Sequence, residues 1–358
     1  METVSFGRTG LKVSKLCFGT MTLGSSEWKP WALDKADSLP ILKRALDLGI
    51  TFFDMADWYS NGEGERVVGP ALTSMVPRDR LVLTTKAFYA MSDDPNDQGL
   101  SRKHLLSSID ASLRRMGTDY VDIFMVHAFD PDTPIEETME ALHDIVKSGK
   151  ARYLGASTMF AWQFAQMNHV ARENGWTPFV NMQCQYSLLY RENEREILPY
   201  CLDQGIAVTC FSPLARGWLA GSKDTRSNND VMFARNYGDA LDREICARVE
   251  TIAMERDRTM AEVALAWVYT KEAICCPIIG AGSVSQVENN VKALDLELTP
   301  DEIETLDLLY RPRDVINDYV TNPMPRHLGG IQNDSSFVDK DDYARHYRPY
   351  PPDLQGEE

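Results

Sequence analysis

Eight short apolar runs, each followed by a longer stretch whose apolar residues recur at helical spacing, restrict the fold of this chain more than any other feature. The runs fall at about 16–19 (LCFG), 51–54 (TFFD), 80–86 (RLVLTTK), 121–127 (VDIFMVH), 151–157 (ARYLGAS), 178–183 (PFVNMQ), 205–211 (GIAVTCF) and 275–280 (CCPIIG). Nearly unbroken β-branched and aromatic content is the mark of parallel strands covered on both faces. Between the runs, Leu106, Ile109 and Leu113 share one helical face, as do Ile135, Met139 and Leu142. Helix starts are written in as well. Thr133-Pro134-Ile135-Glu136 predicts a Thr N-cap, Pro at the first helical position and Glu in a capping box; Thr299-Pro300-Asp301-Glu302 repeats the device, and Thr259 with Glu262 supplies another pair.

Strand-then-helix repeated eight times reads as a closed α/β barrel, the (β/α)8 TIM barrel. An open doubly wound sheet is the alternative, but no Gly-x-Gly-x-x-Gly follows the first strand. The opening VSFGRTGLKVSKL reads as a hairpin placed to plug the barrel floor. Long loops are expected at the C-terminal face. Residues 212–240 form one, expected to order over a bound cofactor, and 311–358 form a Pro-, Tyr- and Asp-rich tail able to close over the mouth. With no linker or repeat, residues 1–358 read as a single domain.

The 358 residues suit one barrel with insertions, and a net charge of −16 without any long basic run argues against nucleic acid or an anionic membrane as partner. The seven cysteines form no C-x-x-C pair, and several sit inside apolar runs, which reads as buried free thiols in a reducing compartment. No Cys/His cluster has metal-ligand spacing. Without a signal pattern or a bilayer-length apolar run, a cytoplasmic location is expected.

In barrels of this kind the chemistry gathers where strands end. The strand ends here carry Asp54, Lys86 and His127, with Tyr59 just beyond the second strand in FFDMADWYSNGEGE. Any one of them alone is equally a structural polar residue. Together they make a metal-free proton relay. A carbonyl accepting hydride develops negative charge on oxygen, which must be stabilised and protonated. A phenol with an ordinary pKa near ~10 gives up its proton reluctantly at neutral pH. A neighbouring ammonium lowers that value, a carboxylate holds the ammonium, and an imidazole orients the carbonyl.

With these residues in order, the chain resembles the aldo-keto reductase superfamily over nearly its whole length. FFDMADWYSNGEGE resembles the family's strand-two signature, VLTTKAF carries the matching Lys86 and DIFMVHAFD the matching His127. The resemblance implies Tyr59 as general acid, Lys86 as the group lowering its pKa, Asp54 as partner of Lys86, and His127 as the orienting group. It also implies a nicotinamide cofactor. Gly19, Thr20 and Met21 follow the first strand, and Asp54 borders the same site. Ser157 in GASTMF and Gln183 in NMQCQYSLLYR then contact the carboxamide, with Asn181 as neighbour. Thr158 stands where the family often has Asn. Phe211 flanks the ring, and Ser212, Leu214, Arg216 and Gly217 of SPLARG hold the pyrophosphate. Gly280, Gly282, Ser283, Gln286 and Asn290 of PIIGAGSVSQVENN take the adenosine end.

Between Ile278 and Asn290 the chain has no Lys or Arg to pair with a 2′-phosphate, although many relatives do. Family habit favours NADPH/NADP; NADH/NAD or dual use stays open, and Arg216, Lys223, Arg226 and Lys292 are the cations within sequence reach. Met21, Trp28, Trp58, Phe88 and Phe129 are candidates for an aromatic substrate wall. The activity implied is reversible hydride transfer between NAD(P)H and an aldehyde or ketone, with a small-molecule carbonyl or alcohol as partner and a homo-oligomer left open. GTMTLG also resembles the branch containing potassium-channel β-subunits, so a nucleotide-sensing subunit with little turnover is the alternative. A barrel isomerase or aldolase using Lys86 as a Schiff base would leave SPLARG and PIIGAG without a purpose.

Overall fold

The computed structural model describes residues 1–221, 230, 236–313 and 315. β1 (Thr3–Ser5) and β2 (Lys12–Ser14) pair antiparallel as the expected hairpin. The barrel strands follow as β3 (Cys17–Gly19), β4 (Phe52–Asp54), β5 (Val82–Ala87), β6 (Val121–Val126), β7 (Ala151–Ser157), β8 (Asn181–Gln185), β9 (Ala207–Phe211) and β10 (Ile274–Ile279). Each pairs in parallel with its sequence neighbour, and β10 closes on β3, so the eight-stranded barrel has no edge.

Helices alternate with them: α1 (Lys35–Asp47), α2 (Glu63–Met75), α3 (Arg102–Met116), α4 (Ile135–Lys147), α5 (Ala161–Glu173), α6 (Ile197–Gln204), α7 (Ala240–Glu255), α8 (Met260–Tyr269), α9 (Val284–Lys292) and α10 (Pro300–Asp307). β5 and β8 are buried along their whole length, as strands covered by helices outside and side chains inside must be. The floor of the barrel is closed by the hairpin: Phe6 and Val13 pack into a cluster with Phe52, Ile123 and Cys276, and the Phe6 and Phe52 rings meet edge-on at 5.8 Å.

Two of the three expected helix caps form as capping boxes, Thr259 with Glu262 and Thr299 with Glu302. The third does not. α4 begins one residue later, with Pro134 as N-cap, and the Thr133 hydroxyl donates to Asp130 Oδ2 at 2.7 Å. Asp130 also accepts the Leu100 amide at 2.7 Å, so Thr133 serves a loop-to-loop tie. All seven cysteines are free thiols. Among the described residues no helix is long and apolar enough to cross a membrane. Residues 222–229 and 231–235 of the 212–240 loop and nearly all of the 311–358 tail lie outside the described residues, as do Lys223 and Arg226.

Candidate active site

A cavity of about 550 Å³ opens at the C-terminal ends of the strands. Lys86 lies behind its wall, fully buried, and its ammonium uses all three of its N–H donors. They go to Asp54 Oδ2 at 2.7 Å, the Met55 carbonyl at 2.8 Å and the Tyr59 hydroxyl oxygen at 3.2 Å. A phenol oxygen that accepts from an ammonium must aim its own proton elsewhere. Asp54 is fixed in turn: its Oδ1 accepts from Thr84 Oγ1 and Gln183 Nε2, both at 2.9 Å. Burial pushes the Lys86 pKa down, but the charges of Asp54 and Tyr59 outweigh it and the net displacement is upward, so the ammonium persists. His127, just past β6, shows the opposite balance. Burial, reinforced by the Lys86 charge, holds its pKa well below the usual imidazole value, so the ring is neutral. It stands edge-on to Tyr59 at 5.9 Å and to Tyr89 at 4.9 Å, and its buried Nδ1 has no hydrogen-bond partner among the described residues.

Asp54, Tyr59, His127, Ser157, Thr158, Gln183, Phe211, Ser212, Leu214, Arg216 and Gly217 all line this one cavity, as do Gly19, Met21, Trp58, Gly280, Gly282, Gln286 and Asn290. The backbone at its rim is unusual. Thr158, Ser212, Ala215 and Arg216 adopt φ of 52°, 53°, 48° and 58°, a region residues other than glycine seldom enter and one that concentrates at ligand clamps.

Other candidates stand outside the wall. Thr20 is buried, its hydroxyl spent on the Asp54 carbonyl at 3.0 Å. Ser283 is the N-cap of α9 and accepts from the Gln286 amide. Asn181 donates to the Ala207 carbonyl at 2.9 Å and braces β8 against β9. Trp28 and Phe88 pack behind Trp58, Tyr59 and Tyr89 as a second aromatic layer. Phe129 belongs to the main core and meets Trp162 at 6.0 Å.

Several residues at the cavity escaped sequence reasoning. Tyr89 and Trp31 line it from loops, where periodicity carries no positional information. Asp230 pairs with Arg216 at 2.6 Å, both side chains buried, so the guanidinium in SPLARG is already neutralised. Lys292 reaches the rim indirectly, donating to Asn289 Oδ1 at 3.3 Å.

A parallel barrel with a buried Lys–Asp–Tyr set at its C-terminal mouth is the architecture of a barrel oxidoreductase. The chain belongs to the aldo/keto reductase family, whose model matches residues 15–311. It is similar to the versiconal hemiacetal acetate reductase of Aspergillus parasiticus, 40% identical over 338 residues that cover 87% of this chain and 98% of that protein. An aldo-keto reductase of Alternaria alternata is 39% identical across 86% of this chain and 92% of its own length. A putative aryl-alcohol dehydrogenase of Saccharomyces cerevisiae is 35% identical across 87% and 98%. Such proteins are oxidoreductases, and the family as a whole works with NAD(P)H.

Proposed function

We propose that this protein reduces an aldehyde or ketone, reversibly, with Tyr59 as proton donor and a nicotinamide dinucleotide as hydride source. The observation that carries the reading is the Lys86 ammonium, buried and shared between Asp54, the Met55 carbonyl and Tyr59. The cavity suits a dinucleotide: carboxamide partners at Ser157 and Gln183, an aromatic face at Phe211, the left-handed backbone of 212–216, and polar Gln286 and Asn290 at the far end. Bound there, the cofactor supplies the hydride. The protein does the rest. Gln183 is held by Asp54 through its Nε2, which leaves its carbonyl oxygen for an amide donor. Neutral His127 stands beside Tyr59 and orients the carbonyl oxygen for proton transfer. Tyr59 then donates its proton to the developing alkoxide, and the phenolate left behind is stabilised by Lys86. Trp31, Trp58 and Tyr89 wall the same space and favour a flat, apolar substrate, in keeping with the names of the aryl-alcohol and versiconal relatives.

A panel of aromatic aldehydes, sugars, keto-steroids and polyketide-like ketones, followed at the nicotinamide absorbance with NADPH and NADH separately, tests this reading. Turnover of aromatic carbonyls above sugars is expected. Tight NADPH binding without turnover of any member would instead support a nucleotide-sensing subunit.

A further inference from the structure

Behind Tyr59, on the outer surface of the barrel, lies a second buried polar cluster that plays no part in the proton relay. Asp57 leaves β4 two residues before Tyr59. Its amide donates to the Lys86 carbonyl at 3.1 Å, and its carboxylate Oδ2 accepts from Ser108 Oγ of α3 at 2.9 Å. After Tyr59 the chain makes a tight turn in which Ser60, Asn61 and Gly62 all have positive φ, at 52°, 50° and 88°. That turn rests on α3 as well. A Cβ at Gly62 would lie 2.8 Å from Arg115 Cδ, so the arginine packs directly on the glycine, whose φ of 88° also favours glycine. Arg115 donates from Nε to Glu65 Oε2 at 2.6 Å and from its NH2 nitrogen to Ser112 Oγ at 3.1 Å, and Glu65 Oε1 accepts from Thr85 of β5 at 2.5 Å. Ser108, Ser112 and Arg115 recur on one face of α3. The helix is pressed against α2 at Gly69, where a Cβ would meet the Met116 carbonyl at 2.5 Å.

The geometry points to Asp57 and Arg115 as positioning residues, a two-point clamp by which α3 holds the strained turn carrying Tyr59 in register with Lys86. The inference rests on the reading of Tyr59 as proton donor. Its first point fixes where the turn begins, through Asp57 and Ser108. Its second fixes where the turn ends, through Gly62 and Arg115. A three-residue left-handed turn does not persist unless its surroundings over-determine it. The clamp supplies that constraint, and the hydroxyl of Tyr59 stays at hydrogen-bond distance from the ammonium.

The charge of the clamp is unbalanced. Among the described residues, Asp57 and Glu65 face one cation, Arg115, and Asp57 Oδ1 is buried without a hydrogen-bond partner. Burial, reinforced by Glu65, raises the Asp57 pKa to about 8 against the smaller opposing effects of Ser108, Arg115 and the Trp58 amide. The remaining titratable side chain on this face of α3, His104, is kept neutral by burial and faces Asp97 at 3.6 Å instead. Lys86 points into the barrel, engaged with Asp54. Asp57 therefore holds a proton at neutral pH and releases it to solvent as pH passes about 8, leaving an uncompensated buried carboxylate at the foot of the turn. The sign for stability follows. The folded-state pKa lies above the unfolded value, so the unfolded chain binds fewer protons and stability falls between the two values, levelling off above about 8.

The test compares wild type, Asp57→Asn, Arg115→Met and Tyr59→Phe in one buffer series. Asp57→Asn keeps the shape and the Ser108 contact but cannot ionise. The ratio of kcat at about pH 9 to kcat at about pH 7 should be several-fold lower in wild type than in Asp57→Asn, which shares the Tyr59 titration but lacks that of Asp57, while cofactor Kd is the same in both. The thermal midpoint of Asp57→Asn should gain on wild type from pH ~4 to ~8 and run parallel above. Arg115→Met, where it folds, should lower kcat by about 10–100-fold with little change in cofactor Kd. Identical pH profiles for wild type and Asp57→Asn, with Tyr59→Phe inert, would overturn the clamp and spare the proton-donor reading. Full activity of Tyr59→Phe would remove that reading and this inference with it.

Discussion

The two ends of the cavity are built on different principles. At the Tyr59 end Asp54 and Lys86 project from strands, Tyr59 and His127 follow directly after strand ends, and all three N–H donors of Lys86 are taken up within the site. At the other end, proposed to take the pyrophosphate and adenosine, the side chains belong to loops and helix starts and are occupied with local structure. Ser283 caps α9, Gln286 Oε1 accepts from the Gly282 amide at 2.7 Å, and Arg216 is paired with Asp230. Chemistry that needs fixed geometry sits where the core dictates position. Recognition sits where side chains already have a structural task that a ligand must share or displace.

The largest expected effect belongs to the rigid end. Lys86→Met should lower kcat by about 10²–10⁴-fold, the value of a positioned acid whose pKa is no longer tuned. It should also destabilise the fold by about 3 kcal/mol, at the low end for a broken buried pair because Thr84 and Gln183 still donate to Asp54. Activity together with denaturant unfolding measures both. A stable, active Lys86→Met protein would erase the contrast between the two ends.

At the adenosine end smaller, additive effects are expected. Of the residues from Ile278 to Asn290, Gln286 lines the cavity while Ser283 is a cap outside its wall. Gln286→Arg should therefore shift preference toward NADPH over NADH by about tenfold, one charge-assisted contact. Ser283→Arg should shift it less, and should cost about 1 kcal/mol of stability through the lost cap. Competition binding of the two cofactors reads the shift. If wild type already prefers NADPH by several orders of magnitude, another cation does this work.

The same contrast explains what was legible beforehand. Strand ends could be read because periodicity fixes where a strand stops, and Asp54, Lys86 and His127 fell where expected. Tyr59 came with its motif. Strand boundaries slipped by a few residues, as in β8, which starts at Asn181 rather than 178, because Phe179 is buried off the strand with its amide bound by Asn168. The Thr133 cap did not form: the helix starts one residue later, and the Thr133 side chain lies in the preceding loop, tied to Asp130. Phe129 and Phe88 looked like cavity residues by position, but side-chain direction in loops depends on packing that no local pattern records. Tyr89 and Trp31 are the converse case, brought to the cavity by loop paths alone, and Asp230 reaches Arg216 from a loop in the same way.

The central claim is that Tyr59 is the proton donor and Lys86 only its modulator. Tyr59→Phe tests it most directly, because the ring and its packing beside His127 and Trp58 remain while one hydroxyl is removed. Single-turnover carbonyl reduction is measured alongside cofactor binding, with the Lys86→Met single and double variants in parallel. The account predicts a loss of about 10²–10⁴-fold in the chemical step, unaltered cofactor Kd, and a double variant hardly worse than either single one because the two residues act as a unit. Near-normal carbonyl reduction by Tyr59→Phe would contradict it.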